Sequence, residues 1–442
     1  MNTDAIHRRY RERNSQSLQQ FERDQQVLPG GAKGAYYYPP FPLTMERGEG
    51  CYLWDIDGHR YVDFASHHTA QMLGHGHPAV LEAIRQQLER GLALGAPMGT
   101  EALLAEEICC RVPSVEKVRF CNSGTEATLH AIRLARAHSG RTRIAKFEGG
   151  YHGQHDAVEI SVAPPVDQAG STEAPRAVPG GRGMSPAILD EILVLPYDNE
   201  GAVERLVADY RDELACIVVD PKAGIMPQRA EFIRAVEATA RRHELLLIFD
   251  EIVGFGAGSG GMQGEYGITP DLSTYAKIVG GGLPVGAFGG RADLMDLLDG
   301  SKGRAGLFQS GTHSGHALVM TTGRITLEHL TSEAFAHLHQ LAARLCEGLN
   351  DALVKRGWAP AVVRSGSVFS IYFADQVPRD YRTLAARQTE LTNPVFLSLL
   401  KRGYYLSHAL AMNCLSLPMQ DQHVDGLVEA FGQVMDELCL HR

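Results

Sequence analysis

The chain has no apolar run long enough to cross a bilayer. Stretches such as Leu245–Phe249 fall far short of the ~20 residues that a spanning helix needs. It has no excess of basic charge. Forty-two Lys and Arg against 52 Asp and Glu leave a formal charge of −10, so no general basic field exists to hold nucleic acid or an anionic membrane. It has no CxxC and no Cys/His ladder, which argues against a zinc site. Its eight cysteines are scattered, with Cys109–Cys110 the only close pair, and neighbours in sequence are poor disulfide partners. We expect mostly reduced core thiols in a cytoplasmic protein. The segment Met1–Asp24 is polar and mixed in charge. It lacks the apolar stretch of a signal peptide and is expected to be a helical arm or a partly disordered lead-in. Internal repeats are absent too.

What the chain does have is 442 residues of ordinary globular composition, enough for two or three domains at ~150 residues each, and 47 clustered glycines that imply close backbone approaches. Asp57-Gly58 between Cys51–Ile56 and His59–Phe64 predicts a hairpin. From about Pro78 short apolar β runs alternate with amphipathic helices. Helices are expected at Val80–Leu92, Thr100–Arg111 (with Thr100 as N-cap), Gly124–His138, Ala202–Tyr210 and Ala230–His243. Strands are expected at Val118–Cys121, Ile144–Phe147, Ile192–Leu195, Ala215–Val219 and Leu245–Phe249. This is the pattern of an α/β domain with a largely parallel sheet. Between them, Ala163–Ser185 reads as a long binding loop or lid. After about Leu318 helices dominate and an α+β module ends the chain. The expected domains are therefore 1–75, an N-terminal arm and part of a small domain; 76–330, a large domain; and 331–442, the rest of the small domain.

Two motifs mislead. Gly256, Gly258 and Gly261 spell G-x-G-x-x-G, but Asp250–Phe255 separate them from the strand and no apolar-periodic helix follows, so a flexible glycine loop is preferred over a dinucleotide site. His67, His68, His75 and His77 lack any metal-ligand spacing and read as a turn. Three others carry chemistry. Asn122-Ser123-Gly124-Thr125-Glu126 ends a strand and opens a helix, which suits either a phosphate cradle or a plain N-cap. Asp250-Glu251 lie at the carboxyl end of a buried strand, where an Asp binds ligand or caps a helix. Lys277 stands between an apolar stretch and Gly280-Gly281-Gly282. It is either a surface lysine or one whose pKa is lowered for nucleophilic work. Cradle, carboxylate and lysine, in that order, are the parts that a pyridoxal-phosphate enzyme needs.

On these blocks, together with Gly48–Phe64, Gly149–Gly153 and Gln309–Gly315, the chain resembles the class III, fold-type I aminotransferases, and within them the glutamate-1-semialdehyde 2,1-aminomutase-like branch. The resemblance runs from about Leu28 to the C-terminus. It implies that Lys277 forms the Schiff base with pyridoxal 5'-phosphate and shuttles the proton, and that Asp250 holds the pyridinium N–H. It places Ile252 and Tyr151 on opposite ring faces, with His152 beside them. Ser123, Gly124 and Thr125 would hold the phosphate, and Thr312 would reach the phosphate of a neighbouring subunit in a homodimer. Departures bear on the substrate. Asp220-Pro221-Lys222 stands where the family usually has Glu-Pro. Gly254-Phe255-Gly256 lacks the arginine of Gly-Phe-Arg, and His316 replaces an Asn. The nearest N-terminal counterpart of a carboxylate-binding arginine is Lys33, and Ser407–Asn413 has no arginine. Bidentate carboxylate binding favours Arg over Lys, so the usual α-carboxylate clamp is weakened or moved. Lys33 and Asp220 are the candidate substrate residues. Tyr36, Tyr37 and Tyr38 supply an aromatic wall or belong to the core. The implied activity is an aminotransferase acting on small amine and carbonyl substrates, with an aminomutase and a non-catalytic cofactor-binding protein as alternatives.

Overall fold

The structure is a computed structural model that describes residues 3–440, without the side chains of 303–305. The outermost two residues at each end, part of the expected arm and of the expected C-terminal module, lie outside it. The chain divides into two compact units, one of Met1–Pro78, Ala336–Val377 and Ala386–Arg442, the other of Ala79–Phe335 and Pro378–Ala385.

The larger unit is built on a seven-stranded sheet. Its strands run in the order Lys117–Cys121, Gly286–Gly290, Leu272–Ala276, Leu246–Asp250, Leu214–Val219, Arg143–Phe147, Ile192–Leu195. Gly286–Gly290 is antiparallel to both neighbours and the pairs from Leu272–Ala276 outward are parallel. Leu214–Val219 and Leu246–Asp250 are buried along their whole length, as expected for strands covered on both faces. Phe147, Val219, Phe232 and Phe249 pack one face; Ala131, Ile144, Val218 and Ile248 pack the other.

Strands and helices expected from the sequence occur within one or two residues of their predicted ends, with instructive exceptions. The helix Gly99–Arg111 is preceded by Met98 rather than capped by Thr100, and Met98 makes no side-chain cap bond. The strand Gly286–Gly290 was not foreseen, because glycine is depleted in strands. Here a Cβ on Gly286 would overlap the carbonyl oxygen of Ser123, and one on Gly290 that of Asp271, so neighbouring backbone occupies the space. The segment Ser15–Asp24 is helical, as is Thr3–Arg13. The stretch Pro378–Ala385 departs from the expected boundaries. Arg382 clamps Glu148 through two 2.8 Å bonds and also donates to the carbonyls of Val166 and Ala169, which ties the segment to the larger unit.

The smaller unit carries the hairpin strands Tyr52–Asp55 and Arg60–Asp63 in a four-stranded sheet with Met45–Glu49 and Tyr404–Tyr405, and a second sheet of three strands, the last of them Asn413–Cys414. The turn Ser66-His67-His68-Thr69 has four consecutive positive φ angles, and the Asp63 carboxylate caps it through the N–H groups of Ala65 and Ser66. His75 Nε2 meets the other Asp63 oxygen at 2.8 Å.

Candidate active site

Six strands of the larger unit, all but Gly286–Gly290, deliver their carboxyl ends to one edge of the sheet, which is where open α/β sheets bind ligands. Register does the positioning. Asp250 pairs with Thr274, Val219 with Phe249, and Gly286 with both Cys121 and Ala276. The Ser123 turn, Asp220, Asp250 and Lys277 therefore follow directly from strands that share one sheet.

Ser123 is the N-cap of helix Gly124–Ser139. Its Oγ accepts the Glu126 N–H at 3.1 Å, and the Glu126 carboxylate accepts the Asn122 N–H at 3.0 Å. The N–H groups of Gly124 and Thr125 open the helix and have no acceptor within it, so the positive end of the helix dipole stays available to an anion. Gly124 leaves room for Ile252: a Cβ there would lie 2.7 Å from Ile252 Cδ1, which would have to turn aside. Gly153, with φ +102, lets the following loop close onto Thr125, whose hydroxyl accepts the Gln154 N–H at 3.3 Å.

Asp250 is buried and receives three donors. His152 Nδ1 lies 2.7 Å from Oδ2, while Thr274 Oγ1 at 3.0 Å and the Ile252 N–H at 3.1 Å reach Oδ1. A carboxylate only accepts, so the His152 proton facing it is on Nδ1. His152 Nε2 is buried and has no hydrogen-bond partner among the described residues. Tyr151, one residue earlier, is half exposed, and Ile252 is partly exposed.

Lys277 has a left-handed φ of +54, a strained conformation for a residue with a Cβ. Burial lowers its ammonium pKa, with Asp250 and then Asp220 opposing. A lysine so placed is closer to the free amine that a nucleophile requires than a surface lysine is. Of the glycines after it, Gly281 lets helix Ala317–His329 lie against the turn, because a Cβ there would meet Thr322 O at 2.6 Å. The Thr322 hydroxyl donates to Gly280 O at 3.0 Å.

Glu251 explains the misleading glycines. Its buried carboxylate accepts the N–H groups of Met262 and Gln263, and a Cβ on Gly261 would come within 2.6 Å of it. Desolvation pushes its pKa up to about 7 despite those donors. Gly254–Gly261 is thus a wrap around an acid, and only the six-residue helix Gly261–Tyr266 follows.

Thr312 is exposed in the turn that precedes helix Ala317–His329, and Ser314 Oγ of that turn lies 3.5 Å from Asn122 Nδ2. Asp220 faces Lys222, with Oδ2 3.4 Å from its Nζ. Lys33 belongs to the smaller unit, exposed, with its ammonium 4.2 Å above the ring of Tyr36. Of the three tyrosines, Tyr38 is core, Tyr37 is exposed, and Tyr36 bonds His67 Nδ1 through its hydroxyl at 2.8 Å. Sequence reasoning missed Lys146 and Thr274. The signal for Lys146 was present, a lysine inside the apolar run Ile144-Ala145-Lys146-Phe147.

A helix N-terminus with a glycine cradle, a buried carboxylate held by three donors, an orphaned imidazole nitrogen and a desolvated lysine fit pyridoxal phosphate. When bound, that cofactor supplies the electron sink for breaking bonds at the amine-bearing carbon. Fold and site together define a fold-type I transferase.

The family model for class-III aminotransferases matches residues 34–435, and the chain belongs to that family. It is 35% identical over 431 residues to a glutamate-1-semialdehyde 2,1-aminomutase of Methanocaldococcus jannaschii, covering 96% of this chain and 98% of that protein. Among solved structures it is similar to an omega-transaminase from Sphaerobacter thermophilus (37% identity, TM-score 0.90, 97% of this chain and 98% of the other). A β-phenylalanine aminotransferase from Variovorax paradoxus is also similar (32% identity, TM-score 0.86, 99% and 97%). The chain is a pyridoxal-phosphate-dependent enzyme with aminotransferase or aminomutase activity.

Proposed function

We propose that the enzyme is an aminotransferase that moves an amino group between a donor and a ketone or aldehyde, with a non-α-amino substrate in one half-reaction. Lys277 is its proton-shuttling lysine and Asp250 its pyridinium partner. His152 orients Asp250, Ser123, Gly124 and Thr125 hold the phosphate, and Tyr151 and Ile252 flank the ring. The observation that carries the substrate class is the absence of arginine at the positions where the resemblance would place one. Gly256, in the block where the family often has Gly-Phe-Arg, is small and buried. In Ser407–Asn413 the Asn413 side chain accepts the Ser407 N–H at 2.8 Å and donates to Leu410 O at 3.0 Å, a self-contained turn without a cation. Lys33, a point charge rather than a fork, tolerates a distant or differently oriented carboxylate, and Asp220 is the second candidate substrate residue. The similarity to an omega-transaminase and to a β-phenylalanine aminotransferase agrees with this class. A panel of α-amino acids, β-amino acids and primary amines, ranked by kcat/KM and repeated with Lys33→Ala, is expected to place a β-amino acid or other specialised amine first in one half-reaction. Superiority of common α-amino acids in both half-reactions would refute it. The likeness to an aminomutase favours the alternative of transfer within one molecule, and release of a keto acid after addition of an amine donor decides between the two.

We also propose a homodimer in the cytoplasm. No helix among the described residues is long and apolar enough to cross a membrane. Leu81, Leu88, Leu92, Leu94 and Leu103 of the larger unit are exposed, as is Phe308 at 87%, more apolar surface than a solvated face needs. The exposed Thr312 would then serve the second subunit's cofactor. A ligand that bridges subunits stabilises the assembly. Removal of the cofactor should therefore shift dimer toward monomer on dilution, and Thr312→Val should weaken cofactor retention with the fold intact. A monomer with full cofactor occupancy would refute this.

A further inference from the structure

The loop Gly149-Gly150-Tyr151-His152-Gly153 carries two of the groups assigned above, and its own backbone is held in an unusual way. Lys222 Nζ donates to Gly149 O at 3.0 Å. Lys146 Nζ donates to Gly150 O at 2.9 Å and to Ile160 O. Thr128 Oγ1 donates to His152 O at 2.6 Å. Two of the three donors are ammonium groups, and both are buried; Lys146 is at 0% exposure.

A buried ammonium is costly. Neutral donors would satisfy the same carbonyls at less expense. Burial and the neighbouring Lys222 push the Lys146 pKa down to about 7, with Asp220 opposing. Charge-assisted bonds to carbonyls are stronger than neutral ones, and they stiffen what they hold. The charges also have a place in the site's balance. Asp220 and Asp250 end neighbouring strands, so two carboxylates would repel there without cations beneath them.

The departure Asp220-Pro221-Lys222 is coherent in this light. Asp220 Oδ1 accepts the Lys222 N–H at 2.7 Å, a turn closed by a short side chain on its own backbone two residues on. The one-methylene-longer Glu of the usual family pattern is not the residue that forms such turns. The turn holds Lys222 at a left-handed φ of +54, and Oδ2 faces its Nζ at 3.4 Å. The shorter acid and the lysine therefore work as a pair: the first bends the chain, and the bend sends the second to Gly149. Gly149, with φ +78, accepts this grip while a Cβ on it would meet Tyr381 Cδ2 at 2.8 Å.

We propose that Lys146 and Lys222 are positioning residues for the reaction, a two-ammonium clamp on the carbonyls of Gly150 and Gly149 that fixes Tyr151 and His152 relative to Asp250. The clamp rests on the site assignment in the proposed function, but its test does not. In cofactor-free protein, amide hydrogen exchange across Gly149–Gln154 should be at least ~10-fold faster in Lys146→Met and in Lys222→Met, with the rest of the sheet unchanged. Lys222→Arg, which keeps a cationic donor, should restore much of the protection. In the holoenzyme the Met variants should lose kcat by ~10-fold or more while KM for the amine donor changes little. Should Lys146→Met fail to fold, the Lys222 pair decides, because Lys222 lies beyond the end of its strand. Unchanged exchange in the loop, or Arg no better than Met at 222, overturns the clamp and leaves the site assignment standing. A chromophore retained in Lys277→Ala would overturn the site assignment, and with it the clamp's role in the reaction, while faster loop exchange in the Met variants would still show that the two lysines hold the loop.

Discussion

Lys277→Ala is expected to yield a colourless protein with turnover reduced ~10⁴-fold or more, the upper range for loss of a group that both binds the cofactor and moves a proton. The expectation rests on the placement of the lysine. Burial depresses its pKa, Asp250 and Asp220 lie close enough to oppose that shift, and its left-handed backbone is held by the packing of Gly281 against helix Ala317–His329. Absorbance after reconstitution with cofactor, followed by borohydride reduction and peptide mapping, checks it. Normal turnover together with a cofactor that borohydride cannot fix to residue 277 would show that the lysine is not the attachment point. The fold should survive, since alanine also accepts the space and the neighbouring glycines keep their contacts.

Asp250→Asn should keep the cofactor and lose most of the rate, by ~10²–10³-fold, the scale found when one preorganised electrostatic partner is removed from an active site. The Asp250 carboxylate accepts hydrogen bonds from His152, Thr274 and the Ile252 amide. An amide at this position turns one acceptor into a donor, so it opposes one of those three and no longer offers a full charge to a ring N–H. Single-turnover absorbance changes with a saturating amine donor separate this loss from weaker binding. A rate equal to wild type would show that another group holds the ring proton. Thermal unfolding of the variant should change by no more than ~1–3 kcal/mol, the cost of one mispaired buried polar group.

The alternation of buried strands and amphipathic helices was legible because each signal is local: Leu214–Val219 is apolar throughout and Leu246–Asp250 is apolar up to its final Asp, and Ser123 with Glu126 marks a helix start whatever surrounds it. The strand Gly286–Gly290 was hidden because its glycines answer to backbone from distant segments, the carbonyls of Ser123 and Asp271. The Gly256-x-Gly258-x-x-Gly261 pattern misled for the same reason, since its purpose is a buried Glu251 that the spacing does not reveal.

Order along the chain was enough to point to the class of chemistry, because a cradle, a carboxylate and a lysine at the carboxyl ends of strands in one parallel sheet must converge on one edge. The same order names Ser123, Asp250 and Lys277 without any distance. What required the tertiary structure was how those groups are held: the His152–Asp250 bond, the Thr274 hydroxyl on the second oxygen, the Arg382–Glu148 pair that draws Pro378–Ala385 into the larger unit, and the two lysines beneath Gly149 and Gly150. Each joins residues from different elements, in most cases far apart in the chain. Such pairings depend on sheet register and loop closure, which side-chain identity and spacing alone do not encode.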